Sequence, residues 1–134
     1  MIDLEDEVYA RVSKPLRSSF NPIYIYGEEV RTPSKFPAVT IVEVDNYPLR
    51  RTMDSGSNER HVQVMYEVTT YSNKTTGRKR ECKEMLSVAD NEFMGMGFTR
   101  TMTNPVAMED ATVFKLVARY SAIVSEDGKI YNRR

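Results

Sequence analysis

The sequence predicts an α+β fold: a single, mostly antiparallel sheet of about five strands with two helices packed on it. Two stretches place apolar residues at helical spacing, and five others are β-branched and aromatic or alternate between apolar and polar residues. One sheet carrying both helices is the simplest architecture that buries every one of these stripes. The chain has 134 residues, the usual size of a single domain, and 1–134 is expected to be one. No internal repeat or low-complexity tract interrupts it.

The first helix is marked by Leu4, Val8, Val12 and Leu16, with Tyr9 beside them and Glu5, Glu7, Arg11 and Lys14 outside the stripe. Asp3 is placed to cap it, and Asp6 and Glu7 suit the positive end of the helix dipole. Pro15 weakens the last turn, so the helix is expected to end between Lys14 and Ser18. A short strand, Ile23-Tyr24-Ile25-Tyr26, is stopped by Gly27. Pro37 opens the second, Ala38 to Val44, whose near-continuous apolarity fits a sheet interior. From Asp45 to Glu59 the chain loses all apolar periodicity, and this 45–59 stretch reads as a long polar loop of the kind that is commonly functional.

From His61 to Tyr71 the alternation is clean. Val62, Val64, Tyr66 and Val68 face one way and His61, Gln63, Met65, Glu67 and Thr69 the other, as in a long, central antiparallel strand. The second helix follows a turn at Ser72 to Gly77, with Cys82, Met85, Leu86, Ala89 and Phe93 as its buried stripe and Gly95 and Gly97 as its stop. Arg78, Lys79 and Arg80 stand at its start, the wrong end for the dipole, which suggests that they serve a contact. Phe98 to Thr103 reads as a strand broken by Asn104-Pro105. Val113 to Val124 is the last long strand, with Phe114, Leu116, Ala118, Tyr120, Ala122 and Val124 on one face, and Ile130-Tyr131 is a short final extension.

Composition narrows the function. Lys plus Arg and Asp plus Glu both number 19, so no global field draws the chain to nucleic acid or to an anionic membrane. No apolar run approaches the roughly 20 residues that span a bilayer. The acidic start is the opposite of a secretory leader, and one cysteine allows no internal disulfide, so the cytoplasm is the expected compartment. His61 reads as a surface residue with no nucleophile motif around it. Cys82 falls on an apolar stripe and reads as core. With no soft-ligand cluster, no EF-hand spacing and no glycine-rich phosphate loop, no catalytic residue, cofactor-binding residue or metal ligand is assigned. Glu43, Asp45 and Glu67 with Lys74 loosely resemble the acidic scatter of metal-dependent nucleases, which makes a small DNA-processing enzyme the alternative from another class. Met94, Met96, Met102 and Met108 are either core filling or an adaptable contact surface. Arg50 and Arg51 in the loop, and Arg78 to Arg80 at the second helix, are the basic clusters open to protein docking.

Several segments resemble a known family. They are Tyr26-Gly27-Glu28, Arg31 to Val39, Ile41-Val42-Glu43 with Asp45-Asn46, Met65 to Val68, Tyr71 to Lys74, Gly97 to Thr101 and Val117 to Tyr120. Over about residues 1 to 131 the chain is similar to the tail terminator (tail completion) proteins of long-tailed bacteriophages and prophages, often labelled minor capsid proteins. The resemblance implies an α/β subunit without enzymatic activity or cofactor, found in the host cytoplasm during assembly and then in the virion neck. It implies a hexameric ring capping the tail tube, which stops tube polymerisation and meets the head-side connector. It implies, too, that genomic DNA passes through the lumen without sequence-specific contact. On this reading Arg50, Arg51 and Asp54 of the loop, with Arg78, Lys79 and Arg80, are the expected protein-interface residues. A head-completion or stopper protein on the portal side of the same neck is the nearest alternative.

Overall fold

A computed structural model describes residues 2–49, 61–127 and 130–131. Its elements run α1 (Glu5–Ser19), β1 (Tyr24–Tyr26), β2 (Ala38–Pro48), β3 (His61–Ser72), α2 (Arg78–Met96), β4 (Thr99–Val106), β5 (Phe114–Ser125) and β6 (Ile130–Tyr131). The strands form one sheet in the order β1-β2-β3-β5-β4, with β6 continuing along the edge of β5. Only β1 and β2 pair in parallel; the other described pairs are antiparallel. The expected α+β class and the central place of the His61 strand both hold.

Both helices lie on one face, because their apolar stripes join the same core as the inward residues of the sheet. Val8, Val12 and Leu16 of α1 and Cys82, Met85, Ala89 and Phe93 of α2 pack with Ile41, Val64, Tyr66, Val68, Ala118 and Tyr120. At the centre the Phe93 ring stacks on Tyr120 with 4.4 Å between centroids, and Phe98 meets Phe93 edge-on at 5.1 Å. Asp3 Oδ1 accepts the Glu5 amide at 2.9 Å, but the N-cap position falls on Leu4, which makes no side-chain cap bond, so Asp3 stands one residue before its expected place. The helix also runs past its expected end to Ser19 with Pro15 inside it. Pro15 removes one donor, but Leu16 one residue later is fully buried, and that burial holds the last turn. Gly97 ends α2 in the left-handed region at φ 102, its amide bonding to Met94 O at 3.1 Å. Gly95, also expected as a stop, is still helical.

Two strands exceed their expected bounds. β2 continues through Asp45–Pro48 past a bulge between Glu43 and Asp45, so the polar stretch begins as strand. Its partner explains this: Val64 and Val62 of β3 lie opposite Asn46 and Pro48, and ladder bonds rather than side-chain apolarity extend the pairing. β4 runs through Asn104-Pro105, because it is an edge strand, where a missing amide need not cost a ladder bond.

The face of the sheet away from the helices carries a second small cluster. Ala38, Tyr71 and Val113 are buried there beside Tyr24, Tyr26, Phe36 and Met108. The Tyr71 hydroxyl donates to Val30 O at 2.9 Å, fastening the segment between β1 and β2 over this end of the face.

Candidate interaction surfaces

The residues that sequence reasoning weighed for catalysis do not converge. Glu43 lies in register with Tyr66 and Tyr120 on the helix-covered face, whereas Glu67 is paired with Val42 and Arg119 on the opposite one. Adjacent strand positions point to opposite faces, so Glu43 and Glu67 cannot share an ion. Glu67 instead accepts a 2.9 Å bond from Arg119 Nε. Lys74, the fourth member of that scatter, pairs with Glu81 at 3.1 Å. Among the described residues no group of three or more His, Cys, Asp or Glu side chains is arranged to hold a metal. Cys82 is fully buried, donates to Phe114 O at 3.5 Å, and its thiol is pushed up to about 11 by that burial, so it lies in the core as expected. His61 sits half-buried at the start of β3, opposite Ser125.

Of the six expected interface residues, Arg50, Arg51 and Asp54 lie outside the described residues. Arg78, Lys79 and Arg80 open α2 as expected, but they do not act alike. Arg78 donates to Lys74 O at 3.2 Å and so braces the turn before the helix. Glu81, beside them, is engaged inward by the Ser72 hydroxyl at 2.6 Å as well as by Lys74. Lys79 and Arg80 are exposed, as is Lys83 one turn on, and these three cations have no ion-pair partner among the described residues. They border a shallow depression on the outer side of α2 with Ser87 and one exposed carboxylate, Glu84, so the patch is basic by three charges to one.

Next to it the sheet runs out from under its helices. β4 is exposed along nearly its whole length, Met102 alone being half-buried. On its helix side, Arg100 and Thr103 line a groove with Lys83, Ser87 and Asp90 of α2. Arg100 is already committed to Asp90 at 3.0 Å, and Asp90 also receives the Tyr120 hydroxyl at 2.7 Å, a network that joins α2, β4 and β5.

The opposite edge of the sheet has the opposite charge. Between the start of α1 and the end of β1 lies a groove of about 490 Å³. Its apolar floor is Tyr9, Ile25 and Ile41, Tyr26 borders it with its ring packed on the other face of the sheet, and four exposed carboxylates, Glu5, Asp6, Glu28 and Glu29, stand around it. None of these four has an ion-pair partner among the described residues. The Tyr9 hydroxyl donates to Ile25 O at 3.1 Å and holds the helix over β1. The convergence of Glu28 and Glu29 with Glu5 and Asp6 comes from a contact between segments that are distant in the sequence.

The methionine cluster divides by position. Met96 completes the core, Met108 packs on the second small cluster, and Met94 is 52% exposed. Val44 at the β2 bulge and Val106 at the end of β4 are also exposed apolar residues, one at each flank of the sheet.

No family model matches the sequence, and none of the curated proteins does. Among solved structures the chain is similar to the sheath/tube terminator of an extracellular contractile injection system, PVC, in its extended state. The TM-score is 0.46 at 9% identity, over 100% of this chain and 61% of that one. The chain thus spans less than two thirds of the length of that protein. No helix among the described residues is long and apolar enough to cross a membrane.

Proposed function

We propose that this chain is a structural subunit of a long-tailed phage or prophage, without enzymatic activity, that forms a ring on the finished tail tube. The ring, a hexamer, ends tube polymerisation and presents a surface to the head-side connector, and DNA crosses its lumen without sequence-specific contact. The reading starts from the sequence resemblance to tail terminators. The observation that supports it beyond resemblance is the distribution of side chains: those weighed for catalysis do not converge among the described residues, while an acidic groove and a basic flank lie at opposite edges of the sheet. Surfaces of that kind serve association, and ring formation requires two different surfaces on each subunit.

Imaging of tails produced without this protein tests the proposal. Tubes longer than the normal tail are the expected result. Tails of normal length beside unjoined heads would assign the chain to the portal-side stopper role instead, and normal joined particles would remove it from the neck.

A further inference from the structure

We propose that a second copy of this chain docks head-to-tail, setting the α2–β4 flank with Lys79, Arg80 and Lys83 against the acidic groove of Glu5, Asp6, Glu28 and Glu29. This deepens the ring reading and rests on it, since it names the two surfaces that a ring would bring together.

Four observations converge. The chain has 19 basic and 19 acidic residues, so the flank charges are a segregation within a neutral molecule and not a sign of one dominant charge. The seven residues named have no ion-pair partner among the described residues, whereas Lys74–Glu81 and Arg100–Asp90 do pair beside the basic flank. The two patches lie at opposite edges of one sheet, β1–β2 on one side and β4 on the other. A symmetric dimer through either patch would place like charges together, whereas basic flank against acidic groove brings opposite charges into register. The contact is therefore heterologous, the type that closes into rings or extends into chains.

Shape agrees with charge. β4 runs out from under the helix layer, while the groove has an aromatic and aliphatic floor, Tyr9, Ile25 and Ile41, under the start of α1. A neighbouring subunit seated there would cover that floor and, on its own side, the exposed Val106 at the end of β4. Opposite charges steer the encounter, and apolar burial follows.

Charge reversal in two complementary variants tests this. One carries Glu28→Lys and Glu29→Lys, the other Lys79→Glu and Lys83→Glu; all four positions are exposed, and circular dichroism checks that both variants fold. Sedimentation at low ionic strength, where surface charges are least screened, is expected to find the parent chain self-associating. Each variant alone should associate at least about tenfold more weakly, because like charges now meet at every contact. An equimolar mixture should recover association, since each variant presents the surface that the other needs. A parent chain that stays monomeric throughout, or a mixture that does not recover, overturns the proposal. Variants that assemble like the parent also overturn this pairing, yet leave the ring reading standing, because that reading is tested by tail length. Loss of binding to purified tail tube with self-association intact would give the groove to a different protein and likewise overturn it.

Discussion

The carboxylate of Glu43 sits on the helix-covered face of the sheet, where charge has little solvent to stabilise it. Burial pushes its pKa above the ordinary glutamate value, and the nearby carboxylates of Glu5 and Asp3 push the same way. Bonds from Asn46 and from the Tyr66 hydroxyl, the latter at 3.4 Å, oppose the shift without cancelling it. The folded chain therefore holds this proton more tightly than the unfolded chain. The stabilisation this gives is complete below the unfolded pKa and is lost as pH rises through the folded one, so at neutral pH the ionised group is a net cost. Glu43→Gln is accordingly expected to raise the thermal midpoint at pH 7. The gain should shrink toward zero as the pH falls into the usual carboxylate range. A midpoint at neutral pH lower than that of the parent would show that the charge itself is needed there. Tyr66 and Tyr120, whose hydroxyls are also pushed up by burial, stay protonated and act as donors to Glu43 and Asp90.

The helices show where local sequence and tertiary packing disagree. Pro15 leaves Arg11 O without its helical donor, and an interior proline costs as much as about 3 kcal/mol. Pro15→Ala should thus stabilise the chain by about 1 kcal/mol or more in denaturant unfolding, because Leu16 already holds the turn in helical geometry. Gly97→Ala should do the reverse. A side chain at φ 102 costs about 1–2 kcal/mol, and the new methyl would meet Ile130 Cγ2 at 3.2 Å. Unchanged stability in either variant would mean that the helix end is set by something other than the local backbone. Much at this scale was legible in the sequence: the stripes of α1 and α2 and the alternation of β3 are periodic, and periodicity is a local property. The second half of β2 and the passage of β4 through Pro105 were not legible, since Val62 and Val64 decide the first and edge position decides the second. The candidate surfaces were half legible. Lys79 and Arg80 stood out as cations at the wrong end of a helix, but the acidic groove exists only once β1 returns beneath α1 and brings Glu28 near Glu5.

Across the whole molecule, cover is unequal. β3 and β5 pair with each other along their full length, lie inside the sheet and carry α2 on one face. β4 pairs with β5 alone and is exposed on both faces, and β1 contributes three residues of parallel pairing. Local opening is governed by such differences, because an element with few buried contacts opens without unfolding the rest. Amide exchange in the free chain should therefore be slowest for Val62–Val68 and Leu116–Ala122 and approach the rate of global unfolding there. The amides of β4 that bond to β5 should exchange at least about tenfold faster, since breaking that pairing exposes almost no additional apolar surface. The partner strand makes the comparison internal, as β5 donates to both neighbours: its amides directed toward β4 should exchange faster than those directed toward β3. If β4 were protected as well as β5, its stability would come from contacts within the subunit. It would then have no unmet need for a neighbour, and the flank assigned to assembly would be a finished surface.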